Sequence, residues 1–229
     1  NSDELGQQGQ DDFASLCTAS RLIANPSTRD RTGWDYRVEY PNSDLDAAVP
    51  FDKRQPPLPA MVQVKAVRAP TTKITLKVRT FERLIKISEP AFVIVPVYDQ
   101  QDRLIALYGI HLVGAALEKS LKRLADLHAK QSDISDHDTI SFSKKSWWHQ
   151  ISLVEEAPLR TYFGKCVGEY ACGLSYQEAK KQEFEKLGYE EGSETSGSFT
   201  IVAKDEDEII EGLLGLRELK ASQFSINER

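Results

Sequence analysis

Cysteine is scarce in this chain of 229 residues: Cys17, Cys166 and Cys172 are too scattered for a disulfide framework, and none forms a Cys-x-x-Cys pair suited to zinc. Buried structural thiols in a reducing cytoplasm are the expectation. Long hydrophobic runs are also missing. No stretch approaches the roughly 18 apolar residues that cross a bilayer, and no secretory signal is visible, so a soluble cytoplasmic protein without a membrane partner is expected. Asn1 is first and Met61 is the single methionine, so the expected start is a processed one. No Gly-rich phosphate loop is present, which argues against a nucleotide-driven motor. His111, His128 and His137 share no metal-ligand spacing.

What is present is ordinary in bulk and uneven in distribution. A hydrophobic content of 40% with 28% charged residues suits a globular protein, and the length suits one main domain with an appendage. The net charge of -6 argues against non-specific coating of nucleic acid. Between Met61 and Ala125, however, eleven basic residues face five acidic ones, whereas from Glu178 to Arg229 thirteen acidic residues face seven basic ones. A basic middle and an acidic tail suit phosphate contacts from one face, or simply two solvated faces.

Periodicity predicts a first helix over 3–24, closed by Asn25-Pro26, and a strand over Tyr36 to Tyr40 after the turn-like Asp30-Arg31-Thr32-Gly33. The proline-rich stretch from Pro41 to Pro59 reads as a long loop, followed by an apolar strand from Ala60 to Val67. Lys73 to Arg79 alternates basic and apolar residues and predicts a strand, with a short helix over Phe81 to Ile87. Ala91 to Tyr98 and Leu104 to Leu112 read as a hairpin of core strands, and Ala115 to Ala129 as an amphipathic helix. After a polar linker at 131–138 come a strand at Thr139 to Phe142, a short helix over Ser146 to Leu153 and a helix from Tyr176 to Leu187 capped by Ser175. Gly197 to Ala203 reads as a strand and Glu206 to Leu216 as an acidic helix. The expected division is therefore 1–130 and 131–229, the latter a small α+β accessory region.

The segment Val62-Gln63-Val64-Lys65 carries the chemistry. Alternation on a strand puts Gln63 and Lys65 on one side and Val62, Val64 and Ala66 on the other. Asp35, at the head of the preceding strand, and the side-chain oxygen of Gln63 are hard ligands for Mg2+, with the backbone carbonyl of Val64 and waters completing an octahedron. Lys65 would position or deprotonate an attacking water and stabilise charge developing on phosphorus. Glu39 shares the face of Asp35, where it would hold a second cation or orient Lys65, while Arg37, Lys73, Lys77 and Arg79 are candidate phosphate contacts. The same residues also suit a turn residue and a solvent-facing pair on a half-buried strand. Ser146-Trp147-Trp148-His149 offers rings for base stacking or for core anchoring.

Taken together, a helix, then Gly33-Trp34-Asp35 opening a strand, then Gln63-Val64-Lys65 on the next, with a further strand and helix, resembles the PD-(D/E)xK, or restriction-endonuclease-like, superfamily. The likeness spans about Leu5 to Leu127 and is greatest to the Mrr-type branches, in which Gln often replaces the acid. It implies an α/β core, a central mixed sheet flanked by helices, and a Mg2+- or Mn2+-dependent DNA endonuclease acting as a homodimer or within a larger defence assembly. Asp35, Gln63 and Lys65 become its catalytic set and Asp35, Gln63 and Val64 its metal ligands. Relatives often carry Glu in a Gly-x-x-Gly-Glu stretch of the first helix. Here Gly6-Gln7-Gln8-Gly9-Gln10 puts Gln10 there, with Asp11 about 100° further round as a substitute. The alternative is a degenerate nuclease fold that binds nucleic acid or a protein partner without cleaving.

Overall fold

An apolar stripe of Leu5, Phe13 and Cys17, one residue in four with Gly9 between, gives helix α1 (Ser2–Ala19) a narrow buried edge. Gly9 lets it press down: a Cβ there would lie 2.6 Å from the Cβ of Ala66. The computed structural model describes residues 2–27, 33–41, 50–53, 58–130, 133–171, 175–185, 195–201 and 221–228. The helix ends earlier than the sequence predicts. Arg21 adopts φ 55°, Arg21 N–H donates to Thr18 O and Leu22 N–H to Cys17 O, a Schellman stop built without glycine. Ile23–Pro26 then forms strand β1 rather than the end of the helix.

β1 pairs antiparallel with β2 (Tyr36–Glu39), and β2 antiparallel with β3 (Ala60–Val64). β3 runs parallel to β6 (Ala91–Tyr98), which is buried along its whole length and pairs antiparallel with β7 (Leu104–His111). β9 (His149–Ile151) adds antiparallel to β7, and β4 (Val67–Arg68) continues β3 along β6. The architecture is thus α/β, with a mixed sheet in the order β1-β2-β3-β6-β7-β9 flanked by helices. Where β9 forms, the sequence predicts helix; the helix α4 there is a single turn, Lys144–Trp147.

Each sheet face has its own core. On one lie α1 and α5 (Pro158–Ala171), with Phe13, Cys17, Leu159 and Phe163 against Val62, Val64, Phe92 and Ile94. On the other lie α2 (Val78–Lys86) and α3 (Ala115–Lys130), with Phe81, Leu84 and Leu117 against Met61, Val93 and Val95. This second core is closed by a two-stranded ribbon of β5 (Lys73–Lys77) and β8 (Thr139–Ser143), which bury Ile74, Leu76, Ile140 and Phe142. α6 (Tyr176–Glu185) starts at the expected cap: Glu178 N–H donates to Ser175 Oγ and Ser175 N–H to Glu178 Oε2.

The first compact unit extends to Gly188, well past the expected division at residue 130, because β8, β9, α5 and α6 complete the same sheet and cores. A second unit covers Tyr189–Arg229, in which β10 (Thr195–Ile201) and β11 (Ala221–Glu228) pair antiparallel. The acidic helix expected over Glu206 to Leu216 lies outside the described residues. Among the described residues no helix is long and apolar enough to cross a membrane.

Candidate functional site

The β2–β3 register, Tyr36 opposite Val62, carries Asp35 to the position facing Gln63, one step beyond the last pair. Here β2 has left the ladder. Gly33, at φ 86°, crosses α2 so closely that a Cβ would lie 2.3 Å from Thr80 O. The Asp35 side chain makes up for the departing strand: its Oδ2 accepts the Val64 N–H at 2.7 Å, while its own N–H donates to Val62 O at 2.9 Å. A charge-assisted bond of this kind fixes the carboxylate beside the Gln63-Val64-Lys65 segment.

Gln63 sits on the face opposite Val62 and Val64, as alternation predicts, but that face is also a core face at Met61. The side chain is therefore half-buried, and its Oε1 is buried without a hydrogen-bond partner among the described residues. Leaving an amide oxygen so costs about 1–3 kcal/mol unless something outside the chain occupies it. Lys65 is exposed, one residue past the end of β3, and its N–H donates to Ile94 O at 2.8 Å. The segment at Lys65-Ala66 is the one α1 presses upon through Gly9.

α1 contributes from the other side of the sheet. The Gln10 carbonyl accepts the Tyr36 hydroxyl at 3.2 Å, Asp11 Oδ1 accepts from Gln7 Nε2 at 2.9 Å, and Asp12 Oδ2 accepts the Tyr98 hydroxyl at 2.6 Å. Burial raises the Tyr36 phenol above its ordinary range, with the charges of Asp11 and then Asp35 adding to it. One phenol thus lies in the field of both carboxylates. The Gln10 carbonyl and the Asp11 charge thus reach Tyr36, on the sheet face away from Gln63.

Other expected contacts are engaged elsewhere. Glu39 lies 3.0 Å from Arg37 and accepts from Asn25 Nδ2 at 2.9 Å. Arg79 is not on a strand: it lies in the first turn of α2, within 3.3 Å of Asp133 and 3.6 Å of Asp136, and donates to Ile134 O at 2.6 Å. Lys73 and Lys77 stand exposed on β5. Among the described residues no hydrogen bond or ion pair joins them or Arg79 to Asp35, Gln63 or Lys65. Among the described residues no three His, Cys, Asp or Glu side chains come together as a metal-holding group.

Two features were missed in the sequence. A cavity of about 860 Å³ lies between β9 and α5, lined in part by His111, Trp147, His149, Tyr162 and Tyr170, and it shares no residue with the Asp35 set. In its wall His111 stacks on Phe92 at 4.6 Å, meets the Tyr176 hydroxyl at 2.8 Å and is pushed down to about 3 by burial, with Lys180 and His149 adding to it. Lys180 itself is fully buried, donates to Glu89 O at 3.3 Å and is pushed down by burial to about 8, against the pull of Glu183 and Glu89. Its place in the four-residue stripe Tyr176, Lys180, Phe184 was the available signal. No family model matches the chain, and no curated protein or solved structure matches it either.

Proposed function

We propose that this chain is a divalent-metal-dependent DNA endonuclease of the PD-(D/E)xK kind, with Asp35, Gln63 and Lys65 as its catalytic set. The observation that carries this reading is the pairing of a fixed carboxylate, Asp35, with the buried and unpartnered Oε1 of Gln63 on the facing position. Mg2+ is bound through few protein oxygens and keeps several waters, so these two donors fit it. The ion would supply Lewis-acid polarisation of a phosphoryl oxygen and a more acidic bound water. Lys65, exposed at the end of β3, holds positive charge where the phosphate accumulates negative charge. In hydrolysis a water oxygen bonds to phosphorus, one P–O ester bond breaks, and the water's proton passes to the leaving oxygen. Cleavage of both strands calls for two such sites, hence a homodimer, in keeping with a role against foreign DNA.

A second reading, a non-cleaving binding module on the same fold, draws support from the use of the Asp35 carboxylate in holding the Val64 N–H. Supercoiled plasmid incubated with Mg2+ or Mn2+ decides between them. Wild type should nick it while Asp35→Ala and Lys65→Ala do not. Intact plasmid with wild type in both metals sinks the nuclease reading and leaves the binding module.

A further inference from the structure

The outward face of the β5–β8 ribbon has an unusual make-up. Its cross-strand pairs are Lys73 with Ser143, Thr75 with Ser141, and Lys77 with Thr139, so lysines and short hydroxyls alternate and no acid interrupts them. The hydroxyls of Thr75 and Ser141 lie 3.1 Å apart, and the buried residues Ile74, Leu76, Ile140 and Phe142 occupy the other face. Lys144 and Lys145 follow directly on β8, and the Lys144 N–H donates to Thr72 O at 2.7 Å, which holds that corner to the ribbon. Lys144 Nζ lies 4.4 Å from the Tyr108 ring centre.

α3 runs along the outer edge of β8 and supplies more positive charge. Lys119 Nζ donates to Ser141 O at 2.5 Å and sits 5.0 Å from the ring centres of both Phe142 and Trp147, while Arg123 Nε donates to Thr139 O at 3.2 Å and its charge is offset by Asp138 at 3.8 Å. Burial, and then the charge of Lys73, lowers Lys119 below the ordinary lysine range. The nearby Glu118 is neutralised by Lys122 at 2.7 Å. Helical lysines elsewhere are paired in the same way, Lys86 with Glu82, Lys165 with Glu169 and Lys181 with Glu185. By contrast, Lys73, Lys77, Lys119, Lys144 and Lys145 have no ion-pair partner among the described residues. Lys73 and Lys77 on β5 and Lys145 just past β8 are thus exposed and unpaired on a chain whose net charge is -6, with Lys144 and Lys119 half-buried at the ribbon's margin.

We infer that this ribbon face is the docking surface for the sugar–phosphate backbone of double-stranded DNA, with Lys73, Lys77, Lys144 and Lys145 contacting phosphates and the Ser and Thr hydroxyls donating between them. The choice of DNA rests on the nuclease reading above; the polyanion is called for by the charge itself. Lysines and short hydroxyls are the side chains that contact phosphate without reading bases. Lys73 and Lys77, four residues apart on an extended strand, stand about 14 Å apart, a span comparable with the ~12 Å major groove. Affinity from such a surface is lost steeply as salt rises.

The test is fluorescence anisotropy of the 229-residue chain on a short labelled duplex in EDTA, titrated with salt. Each phosphate contact adds about 0.9 to the slope of log affinity against log salt, so Lys73→Ser with Lys77→Ser should reduce the slope by about 1.8. Lys144→Ser with Lys145→Ser should do the same, and Lys181→Ser, on α6, should leave the slope alone. Wild type that does not bind, or slopes unchanged in both double variants, overturns the inference. Plasmid nicking on the same preparations separates the two proposals. Ribbon-dependent binding without nicking refutes only the nuclease reading, whereas nicking with unchanged slopes refutes only the ribbon.

Discussion

Gln63→Glu puts a second carboxylate opposite Asp35, and its effect follows from the register. Two carboxylates about 5 Å apart, close enough to share one cation, repel by about 3 kcal/mol at an effective dielectric constant near 20. Half-burial of position 63 admits some solvent screening, which brings the expected cost in EDTA to about 1–3 kcal/mol. For a chain of this size each kcal/mol moves the melting temperature by roughly 2–4 °C, so the variant should melt about 2–12 °C below wild type. A cation bound between the carboxylates removes the repulsion, and at ten times its dissociation constant it adds about 1.4 kcal/mol by mass action. Thermal melts of both proteins in EDTA and in Mg2+ provide the assay, with the metal concentration for half-maximal nicking alongside. The variant should lose stability in EDTA, regain it in Mg2+ and nick at lower Mg2+ than wild type. A Gln63→Glu protein that melts like wild type in EDTA, or ignores Mg2+, refutes the placement of these two residues at one cation position.

Lys180→Met tests the buried lysine through pH. Because burial holds the folded amine at about 8 against an ordinary 10.5, charging it opposes folding below pH 8, and stability gained by losing the proton accumulates from about pH 8 to about pH 10.5. The whole window is worth about 3 kcal/mol. Cys17, pushed up to about 12, works in the opposite direction above pH 9, but it is common to both proteins and cancels in their difference. In urea unfolding the methionine variant should therefore exceed wild type at neutral pH, less about 1 kcal/mol for the lost bond to Glu89 O, and the gap should close as pH rises. A gap independent of pH contradicts this. Gly9→Ala, whose Cβ would meet Ala66, should cost about 1–3 kcal/mol in a thermal melt and reduce nicking, whereas Gly6→Ala, with nothing within 4 Å, should cost nothing. Equal effects at the two glycines would mean that α1 does not press on the Lys65-Ala66 segment.

Legibility in the sequence tracked how local each cause is. The strand Ala60–Val64 was readable because its alternation is written in adjacent residues, and the start of α6 because Ser175 and Glu178 cap it from three positions away. The end of α1 was hidden because Arg21, not glycine, takes the left-handed conformation. α2 was read short because Val78 begins it directly after Lys77, with no loop between strand and helix. α5 went unread although Pro158 opens it, since Gly164 and Gly168 blur its periodicity. At the site, the facing of Asp35 and Gln63 could be anticipated from strand order, but the bond from Val64 N–H to Asp35 depends on β2 leaving the ladder over α2. The occupation of Arg79 by Asp133 and Asp136 arises from a loop folding back, which no spacing rule encodes.

β3 and β4 keep one and the same offset against β6, Val64 opposite Ile94 and Val67 opposite Val97, although Lys65 and Ala66 between them belong to neither strand. Both ends of this dipeptide are therefore anchored to one rigid neighbour at a fixed separation. A residue added or removed here would turn Val67 and Arg68 over to the wrong faces, exposing the valine and breaking the Arg68–Asp102 ion pair. The segment tolerates changes of side chain far better than changes of length, so an insertion scan across positions 64 to 67 should meet its least permissive point at Lys65.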